Sequence, residues 1–240
     1  DGPAAVAAGG HADHVGVHEQ KDGRKYVGLA PVVGRSSGTK LLALADAAEA
    51  AGSDLIRLTA HQKLVVLNVD PDKVDGLLTA AEEIGLTAFP GLFRRHTMAC
   101  TGIEYCKLAF VDTKDTATAA VATLDNRLAD LGLDVPIALN VNGCPNSCAR
   151  IQTADIGLKG QIARNPDGTD EFAFQVHLGG GLASADREEA GLGRTLRGLK
   201  ITADEMPEYV ERVTRRFAAD RDAGESFAHW AHRAEDEALR

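Results

Sequence analysis

Apolar residues in HVGVHEQ (14–20) and RKYVGLAPVV (24–33) recur at alternate positions on either side of Lys-Asp-Gly, a pattern that predicts a β-hairpin. The period then lengthens. SSGTKLLALADAAEAAG (36–52) is rich in Ala and Leu and stops at Gly52, which reads as a helix with a glycine end. Two short apolar runs, DLIRLTA (54–60) and KLVVLNV (63–69), flank a polar bend at His61 and Gln62 and read as strands. PDKVDGLLTAAEEIG (71–85) opens on Pro71 and closes on Gly85, a second helix. The order ββαββα predicts an antiparallel sheet with helices on one face, a ferredoxin-like plan over residues 14–90.

After FPG (89–91) the pattern changes. FRRHTMACTGIEYC (93–106) has no period and reads as loop, and KLAFVDTKDTATAAVATLDNRLADLG (107–132) reads as helix in one or two pieces. PIALNVNG (136–143) is a predicted strand, CPNSC a turn, and ARIQTADIGLKG a short helical piece leading into a strand. FAFQVHLGGG (172–181) is a further strand, so residues 91–201 read as α/β. Over 202–240 Thr202 and Glu205 form a capping box. Met206, Val210, Val213 and Phe217 share one helical face. Beyond Gly224, residues Phe227, Trp230, Ala234 and Ala238 line a second predicted helix. The fold class expected is therefore α+β: a ferredoxin-like repeat, an α/β domain and a helical C-terminal tail. DGPAAVAAGGHADH has neither a basic start nor a leucine-rich centre, and residues 1–13 read as a flexible linker. The chain does not begin with Met, which implies a fragment or a processed product.

Composition narrows the function classes. The 240 residues are 44 % hydrophobic and 25 % charged, as in ordinary globular chains, and long enough to bury a core. A formal net charge of −9 argues against a nucleic-acid partner. No apolar run approaches the roughly 18–20 residues that cross a bilayer, so no membrane role is expected.

Four cysteines change the picture most. Cys100 and Cys106 form C-x5-C; Cys144 and Cys148 form C-x3-C. Without a secretion signal, thiols in such pairs point to metal or redox chemistry in a reducing, cytoplasmic setting rather than to disulfides. Thiolates suit zinc or iron–sulfur clusters. A five-residue gap is wide for a zinc knuckle and fits a larger cubane more easily. The Cys-Pro at 144–145 resembles cluster motifs, and Gly143 permits close backbone approach. Backbone N–H groups near this turn can stabilise sulfur charge and raise a reduction potential. On spacing alone a cluster, a zinc site and inert buried thiols all remain open.

TMACTGIEYCKLAFVDTK (97–114) and NGCPNSCARIQTADIGLKG (142–160) closely resemble the cluster motifs of siroheme-dependent sulfite and nitrite reductases, nearest to the ferredoxin-dependent sulfite reductases of actinobacteria. LTAHQKLVVLNV (58–69), FQVHLGGG (174–181) and FAADRDAGESFAHWAHRAEDEALR (217–240) resemble other parts of the same family, so the likeness spans about residues 14–240. It implies that Cys100, Cys106, Cys144 and Cys148 hold a [4Fe–4S] cluster and that Cys148 also binds the iron of siroheme. It implies siroheme contacts from Asn146, Gln62 and Lys63, with His61 beside them. Arg94, Arg95, Lys107 and Arg150 could neutralise cofactor charge, and Gly179–Gly181 could admit the macrocycle.

The implied reaction is six-electron reduction of sulfite to sulfide with ferredoxin as donor. Nitrite reduction to ammonia, or a siroheme-free electron-transfer module, is the alternative. Family members are about twice this length, and the likeness covers only the second half. The partners implied are therefore the N-terminal half of the same enzyme, ferredoxin, and sulfite or nitrite. The substrate-binding residues belong to the other half, so no catalytic residue is assigned here and the segment alone is expected to be inactive. An acidic ferredoxin calls for a basic surface, for which Arg212, Arg215 and Arg216 are candidates.

Overall fold

The computed structural model describes residues 13–164, 167–182 and 191–240. The linker expected over 1–13 lies outside them, Asp13 excepted. The chain divides after Pro90 into two compact units.

The first unit holds strands β1 (Gly16–Glu19), β2 (Lys25–Leu29), β3 (Leu55–Leu58) and β4 (Leu64–Val69) and helices α1 (Gly38–Ala50) and α2 (Val74–Glu83). The order ββαββα expected from periodicity is the order found. The strands form an antiparallel sheet in the order β1-β2-β4-β3. Ser37 starts α1 by accepting from the Lys40 N–H, and Gly52 and Gly85 follow the helices in left-handed backbone. Val27, Leu29, Leu64 and Val66 pack against Leu44, Ala48, Leu77 and Ala81 in one core. The strand expected to run to residue 33 stops at Leu29. Pro31 lacks an N–H for the ladder, and Val32–Gly34 close a 3₁₀ turn.

The second unit is built on a five-stranded mixed sheet, β5-β6-β7-β8-β9 in chain order. Its strands are β5 (Thr97–Ala99), β6 (Leu139–Asn142), β7 (Ile156–Arg164), β8 (Asp170–Leu178) and β9 (Arg194–Ile201). The first three are parallel, with Ala99 opposite Val141 and Val141 opposite Leu158; the last two join antiparallel. Helices α3 (Leu92–His96), α4 (Lys114–Arg127), α5 (Met206–Asp220) and α6 (Phe227–Arg233) complete it.

Three expectations need correction here. Residues 92–99 are not loop but α3 and β5. The first turn of α3 is capped from a distance, the Asp125 carboxylate of α4 accepting the Phe93 and Arg94 N–H groups at 2.7 and 3.2 Å. Residues 107–113 are not helical; they fold back so that the Phe110 N–H donates to the Gly143 carbonyl at 2.8 Å. The second tail helix ends at Arg233, and Asp236–Leu239 form a separate 3₁₀ turn, so Ala234 and Ala238 are not on it. The predicted capping box does form: Glu205 accepts from the Thr202 N–H at 2.8 Å, and Thr202 Oγ1 accepts from the Glu205 N–H. Met206, Val210, Val213 and Phe217 are buried, and the rings of Phe217, Phe227 and Trp230 meet edge-on or tilted at centroid distances of 5.2–5.6 Å.

Candidate metal centre

Parallel strands β5 and β6 lie side by side in register, so the loops that leave their carboxyl ends emerge at one edge of the sheet. Cys100 is the first residue after β5, and Gly143-Cys144 the first after β6. The Cys100 N–H extends the ladder to the Val141 carbonyl at 3.0 Å. The carboxyl ends of parallel strands are the side on which open α/β sheets bind ligands. All four cysteines are free thiols. Cys144 is buried, Cys100 and Cys106 are half-buried, and Cys148 is exposed.

The turn carrying Cys144 and Cys148 is clasped from inside by Asn142, which is fully buried. Its side-chain N–H donates to the Cys144 carbonyl and its oxygen accepts the Ala149 N–H, both at 2.8 Å. Ser147 and Arg150 hold left-handed backbone at φ 58° and 56°, a conformation that costs L-residues about 1–2 kcal/mol each. They bracket Cys148 and turn it to the surface. The Ser147 hydroxyl accepts the Ile151 N–H at 3.2 Å and bonds Gln152.

The loop carrying Cys100 and Cys106 is joined to this turn. Gly143 donates its N–H to Cys100 Sγ at 3.2 Å and accepts from Phe110 through its carbonyl. Buried Thr113 donates its hydroxyl to the Cys100 carbonyl at 2.7 Å. Neither Asn142 nor Thr113 is marked by sequence spacing; the Asn immediately before Gly-Cys was the available sign for the first.

Among the described residues no group of three or more His, Cys, Asp or Glu could hold a single metal ion. Four soft thiol donors on two adjoining loops, with a backbone N–H already on one sulfur, have the donor chemistry of an iron–sulfur cluster.

The other sequence-marked residues divide. Asn146 is exposed on the cysteine turn. Gln62 and Lys63 belong to the first unit, in the β3–β4 hairpin, where Gln62 takes left-handed backbone at φ 58°. Lys63 is not a solvated strand residue: it is 1 % exposed and its ammonium donates to the His61 carbonyl at 3.0 Å. Lys107 is exposed, while Arg150 reaches Met98 Sδ at 3.3 Å. Gly179 and Gly180 serve the protein's own packing. A Cβ on Gly180 would stand 2.2 Å from the Gln152 carbonyl oxygen, and one on Gly179 would crowd Ala228 and Ala231. The tail arginines do not form a free basic row. Arg215 pairs with Asp130 and Glu211 at 3.1 and 2.9 Å, Arg216 pairs with Asp220, and Arg212 bonds the Arg240 carbonyl.

Comparison with known proteins follows these lines. Residues 91–240 match the family described as nitrite and sulphite reductase 4Fe-4S domain, and residues 18–84 match the nitrite/sulfite reductase ferredoxin-like half domain. The chain is 52 % identical over 242 residues to sulfite reductase [ferredoxin] 1 of Mycolicibacterium paratuberculosis, covering 100 % of this chain and 43 % of that protein. It is 49 % identical over the same shares to sulfite reductase [ferredoxin] of Mycobacterium tuberculosis. The assimilatory ferredoxin-dependent nitrite reductase of Haloferax mediterranei is 38 % identical, over 92 % of this chain and 37 % of that one. The solved structure of the Mycobacterium tuberculosis NirA protein superposes with a TM-score of 0.92 at 50 % identity, covering all of this chain and 44 % of that one. This chain thus spans less than half the length of the curated relatives it matches. The α+β fold, the four-cysteine edge and these matches together place the chain in the nitrite and sulphite reductase family, within the part that carries its iron–sulfur domain.

Proposed function

We propose that this chain is the cluster- and siroheme-binding part of a ferredoxin-dependent sulfite reductase, acting with a further half that its relatives' length implies. The observation that carries the reading is the graded placement of four free thiols at one sheet edge, ending in exposed Cys148. Cys100, Cys106 and Cys144 hold a [4Fe–4S] cluster together with Cys148, whose open side is free to take siroheme iron as well. When bound, a cluster and siroheme held by these residues would supply the electrons for reducing the anion. The chain's own residues position the donor sulfurs: Asn142 fixes the spacing of Cys144 and Cys148, and Ser147 and Arg150 aim Cys148 outward. Asn146, exposed on the cysteine turn, offers an amide donor suited to a siroheme carboxylate, whereas the Lys63 ammonium is buried and bonded to the His61 carbonyl. In functional terms residues 14–90 are the ferredoxin-like half-domain, 91–201 the cofactor-binding domain and 202–240 its helical clamp.

Sulfite is preferred over nitrite because relatives named sulfite reductase stand at 49–52 % identity and the archaeal nitrite reductase at 38 %. Ferredoxin is the donor by the same likeness. Free thiols suit a reducing, cytoplasmic compartment. Among the described residues no helix is long and apolar enough to cross a membrane. The test is an anaerobic visible spectrum of the full natural chain, produced with siroheme synthesis supplied. A Soret band and a red chlorin-type band, both shifting with sulfite or cyanide, are expected. A broad cluster absorption alone would leave an electron-transfer module, and a colourless reconstituted protein would overturn the reading.

A further inference from the structure

The sulfur of Cys100 is not in the same electrostatic position as the other three. Two polar atoms lie against it: the Gly143 N–H at 3.2 Å and Thr113 Oγ1 at 3.7 Å. A hydroxyl has one proton, and that of Thr113 is engaged by the Cys100 carbonyl at 2.7 Å. The donor available to a Cys100 thiolate is therefore the Gly143 peptide. Among the described residues no hydrogen bond reaches the sulfurs of Cys106, Cys144 or Cys148.

Gly143 is held on its other side as well: its carbonyl, in the next peptide unit, accepts from the Phe110 N–H at 2.8 Å. A Cβ on Gly143 would stand 2.9 Å from Ala109 Cβ and 3.2 Å from the Val111 oxygen, so the chain passes here with no room for a side chain. Behind it lies Gly160 of β7. A Cβ there would stand 2.7 Å from both the carbonyl carbon and oxygen of Gly143 and 2.6 Å from Val111 Cγ2. The backbone of Gly160 is not left-handed, so an alanine there is strained only by this contact.

We propose that the Gly143 N–H tunes the reduction potential of the cluster through Cys100, and that Gly160 is the positioning residue that keeps this donor on the sulfur. The inference rests on the cluster assignment made above. Reduction adds negative charge that the thiolates share, and a hydrogen bond to a thiolate strengthens as that charge grows. The donor therefore favours the reduced cluster and raises its potential. Gly160→Ala presses on the Gly143 carbonyl carbon and oxygen, displaces that residue and with it the N–H from the sulfur, and shifts the potential downward without removing a ligand.

The experiment uses the full natural chain as holoenzyme, purified anaerobically, with its cluster titrated potentiometrically by electron paramagnetic resonance. Gly160→Ala is expected to keep its iron and acid-labile sulfide content and to show a more negative midpoint potential. Should that variant fail to fold, wild-type holoenzyme labelled with ¹⁵N-glycine and exchanged into D₂O serves alone. Pulsed resonance of the reduced cluster is then expected to show a coupled glycine nitrogen and an exchangeable deuteron. A normal cluster with neither coupling, or an iron-replete Gly160→Ala protein with an unchanged midpoint, overturns this inference alone. A wild-type holoenzyme with no cluster signal overturns the cluster assignment and this inference with it.

Discussion

Individual residues around the thiols divide into candidate donors and the groups that aim them. The candidate donors stand out in the chain as two close cysteine pairs with no other cysteines. The aiming groups do not. Asn142 is one asparagine among turn residues until its two 2.8 Å bonds are seen. The Gly143–Cys100 contact joins positions 43 residues apart, which no local pattern encodes. Lys63 also misleads as a sequence, since a strand lysine is ordinarily solvated and this one is buried. The difference in exposure among the thiols makes the substitutions unequal. Cys148→Ser is expected to abolish the coupled siroheme–cluster spectrum, while Cys100→Ser costs mainly the cluster. Mössbauer and visible spectra of the two holoenzyme variants check this, and a Cys148→Ser protein with a normal coupled spectrum would contradict the bridging role.

At the level of elements, legibility followed the length of the periodic signal. α2 and α5 carry amphipathic turns, α1 is an Ala- and Leu-rich run with a glycine stop, and each was found where expected. β5 could not be found that way: three residues buried on both faces show no alternation. α3 is too short for a period and depends on a cap that arrives from α4. β9 went unassigned because exposed, left-handed Gly198 interrupts its alternation. Burial raises the Asp125 carboxyl above its ordinary value, against the pull of the two N–H groups it accepts. Asp125→Ala is expected to lower stability by about 1–2 kcal/mol through the lost cap. It should also loosen the entry to β5, read as an earlier chemical-denaturation midpoint. An unchanged midpoint would show that α3 needs no cap from α4.

Across the whole molecule the acid side of the stability profile carries a signature. His177 of β8 is buried, with Nδ1 bonded to the Thr195 hydroxyl at 3.1 Å and no partner for Nε2 among the described residues. Burial, and then the nearby Lys159 charge, hold its imidazole below the ordinary value of 6.5. The unfolded chain therefore takes up this proton first. The contribution is complete above about pH 6.5 and declines as the pH falls toward the depressed folded value. Urea midpoints measured between pH 7.5 and 5.5 should fall for the wild type and fall less for His177→Gln. Parallel slopes would remove His177 from the account.

The in-register pairing of β5 with β6 has a consequence for how such chains can vary over time. One residue inserted or deleted within either strand would carry its cysteine loop out of step with the other by one residue's rise, about 3.3 Å, and turn side chains to the opposite face. Length changes in the stretches between the strands would leave this register intact. The two cysteine motifs, distant in the chain, thus depend on one shared register.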